Sequence, residues 1–234
     1  MPRQPKIMRD WLLEAATSYN RDSFSQRERY STYLLVPIET LRIVIEWSMK
    51  SIPDEVLIGF DPDTEKVNPT VVEEAFGPSK TTFSGHGYLL GRPHIVNVGD
   101  SFSVHHVPEE WTDGIFSEER GARGSRFSSF LHSHPNAFAQ PSQADAEAAE
   151  WTEGVEMILG IRFSPAPVGL EWYDQGEGHR RDLNPENGGD LPVLARVAGR
   201  MVHAFELIGY LRNGEGVNLV ITSAEGDPIG LDLG

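Results

Sequence analysis

The sequence predicts an α/β fold, a mixed sheet flanked by helices. Short apolar runs with strand chemistry alternate along it with segments of helical periodicity, and a strand–helix–strand unit stands near its start. The 234 residues are 39% hydrophobic, enough for one sizeable core with additions. Ile7-Met8 and Trp11-Leu12-Leu13, interrupted by Arg9, Asp10 and Glu14, read as a short docking helix and not as a secretory leader. Asp22 to Arg29 is polar and reads as a connector. Thr32 to Val36 has strand composition, and Pro37 leads into a helix with Leu41, Val44, Ile45 and Met49 on one face. Pro53 ends that helix. Glu55 to Phe60 then reads as a buried strand, broken by Asp61-Pro62-Asp63.

Residues 62–84 are rich in Pro, Gly, Thr and acids, which predicts an insertion or loop. Tyr88 to Leu90, His94 to Val98 and Ser101 to Val107 predict further antiparallel strands, and Pro108 to Gly124 an irregular segment. Phe127 to His134, Met157 to Ile161 and Gly169 to Tyr173 are strand-like, and residues 174–191 form a polar, exposed loop. Leu194, Val197, Met201, Phe205 and Ile208 stand three or four apart, which predicts a final long helix before a last strand, Val217 to Ile221.

Composition narrows the function. With no cysteine, a cysteine-protease mechanism, a disulfide framework and thiolate zinc sites are excluded. The formal charge of −15 lacks the basic footprint that nucleic acid requires. No run approaches eighteen apolar residues, so no membrane span is expected, and a cytoplasmic location is the expectation.

The chemistry concentrates in His132-Ser133-His134-Pro135 and Pro141-Ser142-Gln143-Ala144-Asp145. Histidines two apart on a strand project from one face. The Ser-x-x-Asp turn opens a helix and can return a carboxylate to them, while Ser142 caps that helix. Two imidazoles and a carboxylate make a three-ligand zinc site whose fourth position is left for water, as a hydrolase needs. Fe or Mn also suit such donors. Ser133 points to the opposite face and is expected either to pack there or to support the ligands from behind. His105 and His106 are adjacent and cannot both face this site, and His86, His94, His179 and His203 lack a partner at ligand spacing. They are expected to be surface or satisfied interior residues.

His-Ser-His-Pro followed after six residues by Ser-x-x-Asp resembles the signature of the JAMM (MPN+) metalloproteases, over about residues 31–175. The resemblance implies an MPN-like fold with helical additions at both ends. Residues 1–30 would form an N-terminal helix and connector, 31–175 the catalytic domain, and 176–234 a loop, helix and strand on the same domain. It implies hydrolysis of the bond after the C-terminal glycine of ubiquitin or a ubiquitin-like modifier. It further implies Zn²⁺ on His132, His134 and Asp145, Ser142 beside the oxyanion, and a base glutamate on an upstream strand.

Glu55 fits the base position, although glycine follows it at Gly59 and not at residue 58. An alternative register through Gly87 to Gly91 puts Ser84 there, leaving the base absent or supplied by Glu73 or Glu74. Pro108 to Gly124, with Trp111 and Phe116, stands where relatives cradle the modifier's tail. Two other readings stay open: a non-catalytic MPN scaffold pairing through helices as a homo- or heterodimer, and a JAMM peptidase acting on another peptide.

Overall fold

A computed structural model describes residues 7–52, 54–61, 70–76, 89–99, 127, 129–152, 154–165 and 193–233. The strands are β1 (Tyr33–Pro37), β2 (Val56–Phe60), β3 (Pro93–Val98), β4 (Ser129–Pro135), β5 (Glu156–Pro165), β6 (Ala195–Val197), β7 (Arg200–Tyr210) and β8 (Gly216–Thr222). They form one curled mixed sheet in the order β1-β8-β7-β5-β4-β2-β3, with β6 also on β7. The β1–β8 and β4–β5 pairs are parallel, and the other ladders are antiparallel.

Among the described residues four α-helices accompany the sheet: α1 (Ile7–Ser25), α2 (Ile38–Ser51), α3 (Thr70–Phe76) and α4 (Gln143–Ala149). Strand alternation divides the core between two faces. Leu131, Met157, Leu159 and Ile161 turn toward α1 and α2, where they pack with Leu12, Leu41, Val44, Ile45 and Met49. The opposite face carries His132, His134 and Ile158, and α4 packs there through Ala149. Among the described residues no helix is long and apolar enough to cross a membrane.

The sheet opens between β7 and β8. They pair only at Gly209–Val217 and Tyr210–Gly216 before diverging. Side chains of α1 replace the missing ladder. Asn20 donates to the Ile221 carbonyl (2.7 Å) and the Ile229 carbonyl (2.8 Å), and accepts from Ile221 N (2.8 Å). Ser23 donates to the Leu219 carbonyl at 2.8 Å and Tyr19 to that of Leu207 at 2.9 Å. Buried backbone groups left without partners would each cost about 1–3 kcal/mol, so a polar residue on the buried face of α1 is favourable here.

Four expectations need correction. Residues 194–208 are not a helix but the hairpin β6–β7. Its two-residue loop, Ala198-Gly199, has φ of 48° and 80°, the left-handed pair of a type I′ turn. That turn, and the Val, Phe and Ile content of the flanks, outweigh a spacing that also fits a helix. The polar stretch after Asp22 is not a connector throughout, because α1 continues to Ser25 and a 3₁₀ turn covers Arg27–Arg29. Within residues 62–84 the helix α3 forms, anchored by Val72 against Tyr33, Leu35 and Val220. Leu89 makes an isolated parallel bridge to Leu35 in place of an antiparallel strand. The segments 101–107, 108–124, 169–173 and 174–191 lie outside the described residues.

Candidate metal centre

The site begins with the position of β4 inside the sheet. Its neighbours β2 and β5 enclose both imidazoles: His132 is 0% and His134 7% exposed. The two Nε2 atoms stand 3.0 Å apart. Ser133 faces the other way and its Oγ accepts from Val56 N at 3.0 Å, tying β4 to β2 in a packing role.

The chain then has to reverse and bring a carboxylate back. Asn136 adopts the left-handed region (φ 51°), tolerated by asparagine better than by most residues. Its N donates to the Ile161 carbonyl and its Oδ1 accepts from Phe163 N, both at 2.8 Å. The loop next crosses β5 over Gly160, where an added Cβ would lie 2.7 Å from Ala137 O and 2.8 Å from Ala139 N. Glu206 accepts from Ala139 N at 3.2 Å, and the Arg162 guanidinium lies 4.5 Å from the centre of the Phe138 ring.

So held, the Phe138 carbonyl accepts from His134 Nδ1 at 2.9 Å. A carbonyl can only accept, so Nδ1 carries the proton and Nε2 presents its lone pair to the site. Gly160→Ala is expected to lift this loop, at a cost of about 1–3 kcal/mol from overpacking. Metal affinity should fall about tenfold as the Phe138 acceptor moves. Thermal melts paired with metal-competition titrations would show both effects, and a loss of stability alone would disconnect Gly160 from the site.

Pro141 leads into α4, whose N-terminus is a capping box. Ser142 Oγ accepts from Asp145 N at 3.2 Å, and Asp145 Oδ2 accepts from Ser142 N at 2.7 Å. The cap fixes the Asp145 rotamer and sets its carboxylate beside the imidazoles. Oδ1 lies 3.2 Å from His132 Nε2, and Oδ2 3.8 Å from His134 Nε2. Burial alone would raise the Asp145 pKa. The hydrogen bond and charge of His132, with the bonds from Ser142, override it and hold the carboxyl well below the usual range.

These donors fit a metal ion. The three ligand atoms lie within 4.8 Å of one another. A tetrahedral ion with bonds of about 2.0–2.1 Å needs donors about 3.3 Å apart; the two Nε2 atoms stand 3.0 Å apart, and Asp145 Oδ1 lies 3.2 Å from that of His132. Two imidazole nitrogens at 3.0 Å are also stable only with a proton or a cation between them.

Glu55 immediately precedes β2 and is 2% exposed. In the β2–β4 ladder Leu57 opposes His132, so two residues further on Glu55 comes opposite His134, on the same face. Glu73 and Glu74 are exposed on α3, which packs on β1 and β8, at the other end of the strand order. Ser84, Trp111 and Phe116 lie outside the described residues.

His94 pairs with Asp61 at 2.7 Å and His203 with Ser164 at 2.7 Å, as satisfied histidines do. His86, His105, His106 and His179 are outside the described residues. Sequence reasoning missed Asn136, Gly160, Glu206, Glu156 and Tyr210. Of these only Glu156, an acid within Val155-Glu156-Met157-Ile158-Leu159, carried a signal.

Burial first, then the charges of Glu156 and Asp145, push the Tyr210 phenol above its ordinary pKa. A cavity of about 830 Å³ borders the centre without containing its ligands. It is lined by Pro141 and Ala146 on one side and by Tyr19, Glu206, Ile208 and Tyr210 on the other.

No protein-family model matches the chain, and no curated protein matches it. Among solved structures, the solution structure of protein DSY2949 from Desulfitobacterium hafniense is similar over 81% of this chain and 93% of that one. The TM-score is 0.34 at 10% identity, a likeness that carries no argument about fold or chemistry.

Proposed function

We propose that this chain is a zinc-dependent isopeptidase or peptidase of the JAMM (MPN+) type, cutting after the C-terminal glycine of ubiquitin or a ubiquitin-like modifier. The observation that carries the reading is the convergence of His132, His134 and Asp145 on the sheet face that also bears Glu55. The three would hold the ion. Bound there, zinc would supply a water acidified toward neutral pH and polarise the substrate carbonyl.

The chain's own groups supply the proton transfers. Glu55 takes a proton from the water as its oxygen bonds to the amide carbon, then delivers it to the leaving amine as the C–N bond breaks. The Ser142 hydroxyl, which accepts from Asp145 N, still has its own proton to donate to the developing oxyanion. The exposed position of Ser142 leaves it open to a substrate.

Zinc-loaded protein is expected to cleave a panel of ubiquitin-like C-terminal fusions after the terminal glycine, with products identified by intact mass. Every fusion left uncut by protein carrying its full zinc complement would sink the modifier specificity. Cleavage of other peptides by the same protein would then favour the broader peptidase.

A further inference from the structure

Glu156 sits in an apolar strand and is 0% exposed. Alternation places it on the face of His132, and its partner across the ladder is Tyr210 of β7. The Thr152 hydroxyl donates to its Oε1. The Tyr210 ring packs with Ile158 and with Ala149 of α4, the helix that carries Asp145. Its hydroxyl is closed off from solvent and makes no hydrogen bond among the described residues. A buried donor without an acceptor lowers stability, and phenylalanine would fill the same space without that cost. The hydroxyl nonetheless stands where the carboxylates of both Glu156 and Asp145 act on it.

We propose that Tyr210 is a positioning residue of the metal centre, whose hydroxyl donates to the Asp145 carboxylate and locks it in its ligating orientation when the ion is bound. A carboxylate offers about four acceptor sites, and one metal bond with the Ser142 N–H leaves acceptors over. Tyr210 brings the proton they lack. Glu156, engaged by Thr152, stands across the β5–β7 ladder from the tyrosine. This inference rests on the metal-site reading above.

The test uses Co²⁺ as the probe. Metal-free wild type, Tyr210→Phe and Tyr19→Phe are titrated with it, following the visible d–d bands, and then back-titrated with Zn²⁺. Tyr210→Phe is expected to bind about tenfold more weakly with altered bands, while the metal-free variant melts at or above the wild-type temperature. Tyr19 lines the same cavity but spends its hydroxyl on the Leu207 carbonyl, so its variant should bind as wild type does.

Equal affinity and unchanged bands in Tyr210→Phe overturn the role of Tyr210 and leave the metal site standing. Equal weakening in both variants reduces the effect to packing and also overturns it. Wild type without cobalt bands removes the metal site and this inference together.

Discussion

Glu55→Gln is expected to slow hydrolysis about 100- to 10,000-fold while zinc content stays at the wild-type level. The amide has nearly the shape of the carboxylate and cannot take the water proton, so the chemical step suffers and the fold does not. The site of the substitution favours a clean result. Glu55 stands at the start of β2, where its carbonyl accepts from Gly99 N at 2.9 Å, a backbone bond that any side chain leaves intact. Single-turnover rates and metal analysis on the same preparation give the answer. An unchanged rate places the base elsewhere, and loss of zinc makes Glu55 a determinant of the ion and not of the proton.

His134→Ala should take the protein from about one zinc per chain to a trace, and abolish hydrolysis with it. Two donors would remain, His132 and Asp145, too few for a three-ligand centre. The Phe138 carbonyl would also lose the Nδ1–H that it accepts, so the loop over Gly160 should loosen. Mass spectrometry of metal content on wild type and variant measures this directly. Full zinc retention in His134→Ala would end the three-ligand reading. A wild type that takes up no zinc would turn attention to the scaffold alternative.

The parts of the site written in side-chain identity and short spacing were legible. Two histidines at strand parity, and an aspartate three residues after a capping serine, carry their geometry in the sequence. The shape that joins them was not. It depends on a left-handed Asn136, on the empty space at Gly160, and on the carbonyl of Phe138, a group every residue possesses. Glu206 and Tyr210 are distant in sequence and reach the site only because β7 pairs with β5.

In the fold, helix α2 and strand β2 followed from unambiguous patterns. The hairpin β6–β7 was misread because its apolar residues happen to fall three and four apart. Gly199 was the one local mark of a turn, and pairing on both sides of β7 decided the outcome.

The partnership of β1 with β8 has a kinetic side. Tyr33 aligns with Asn218 and Pro37 with Thr222, so the first strand waits for the last before its ladder can form. Asn20 likewise reaches Ile221 across 201 residues. Closing so long a loop costs chain entropy before any contact rewards it, which makes completion of this edge a slow, late event in folding. On the ribosome, β1 and the polar side chains of α1 stay without these partners until β8, some two hundred residues later, has emerged.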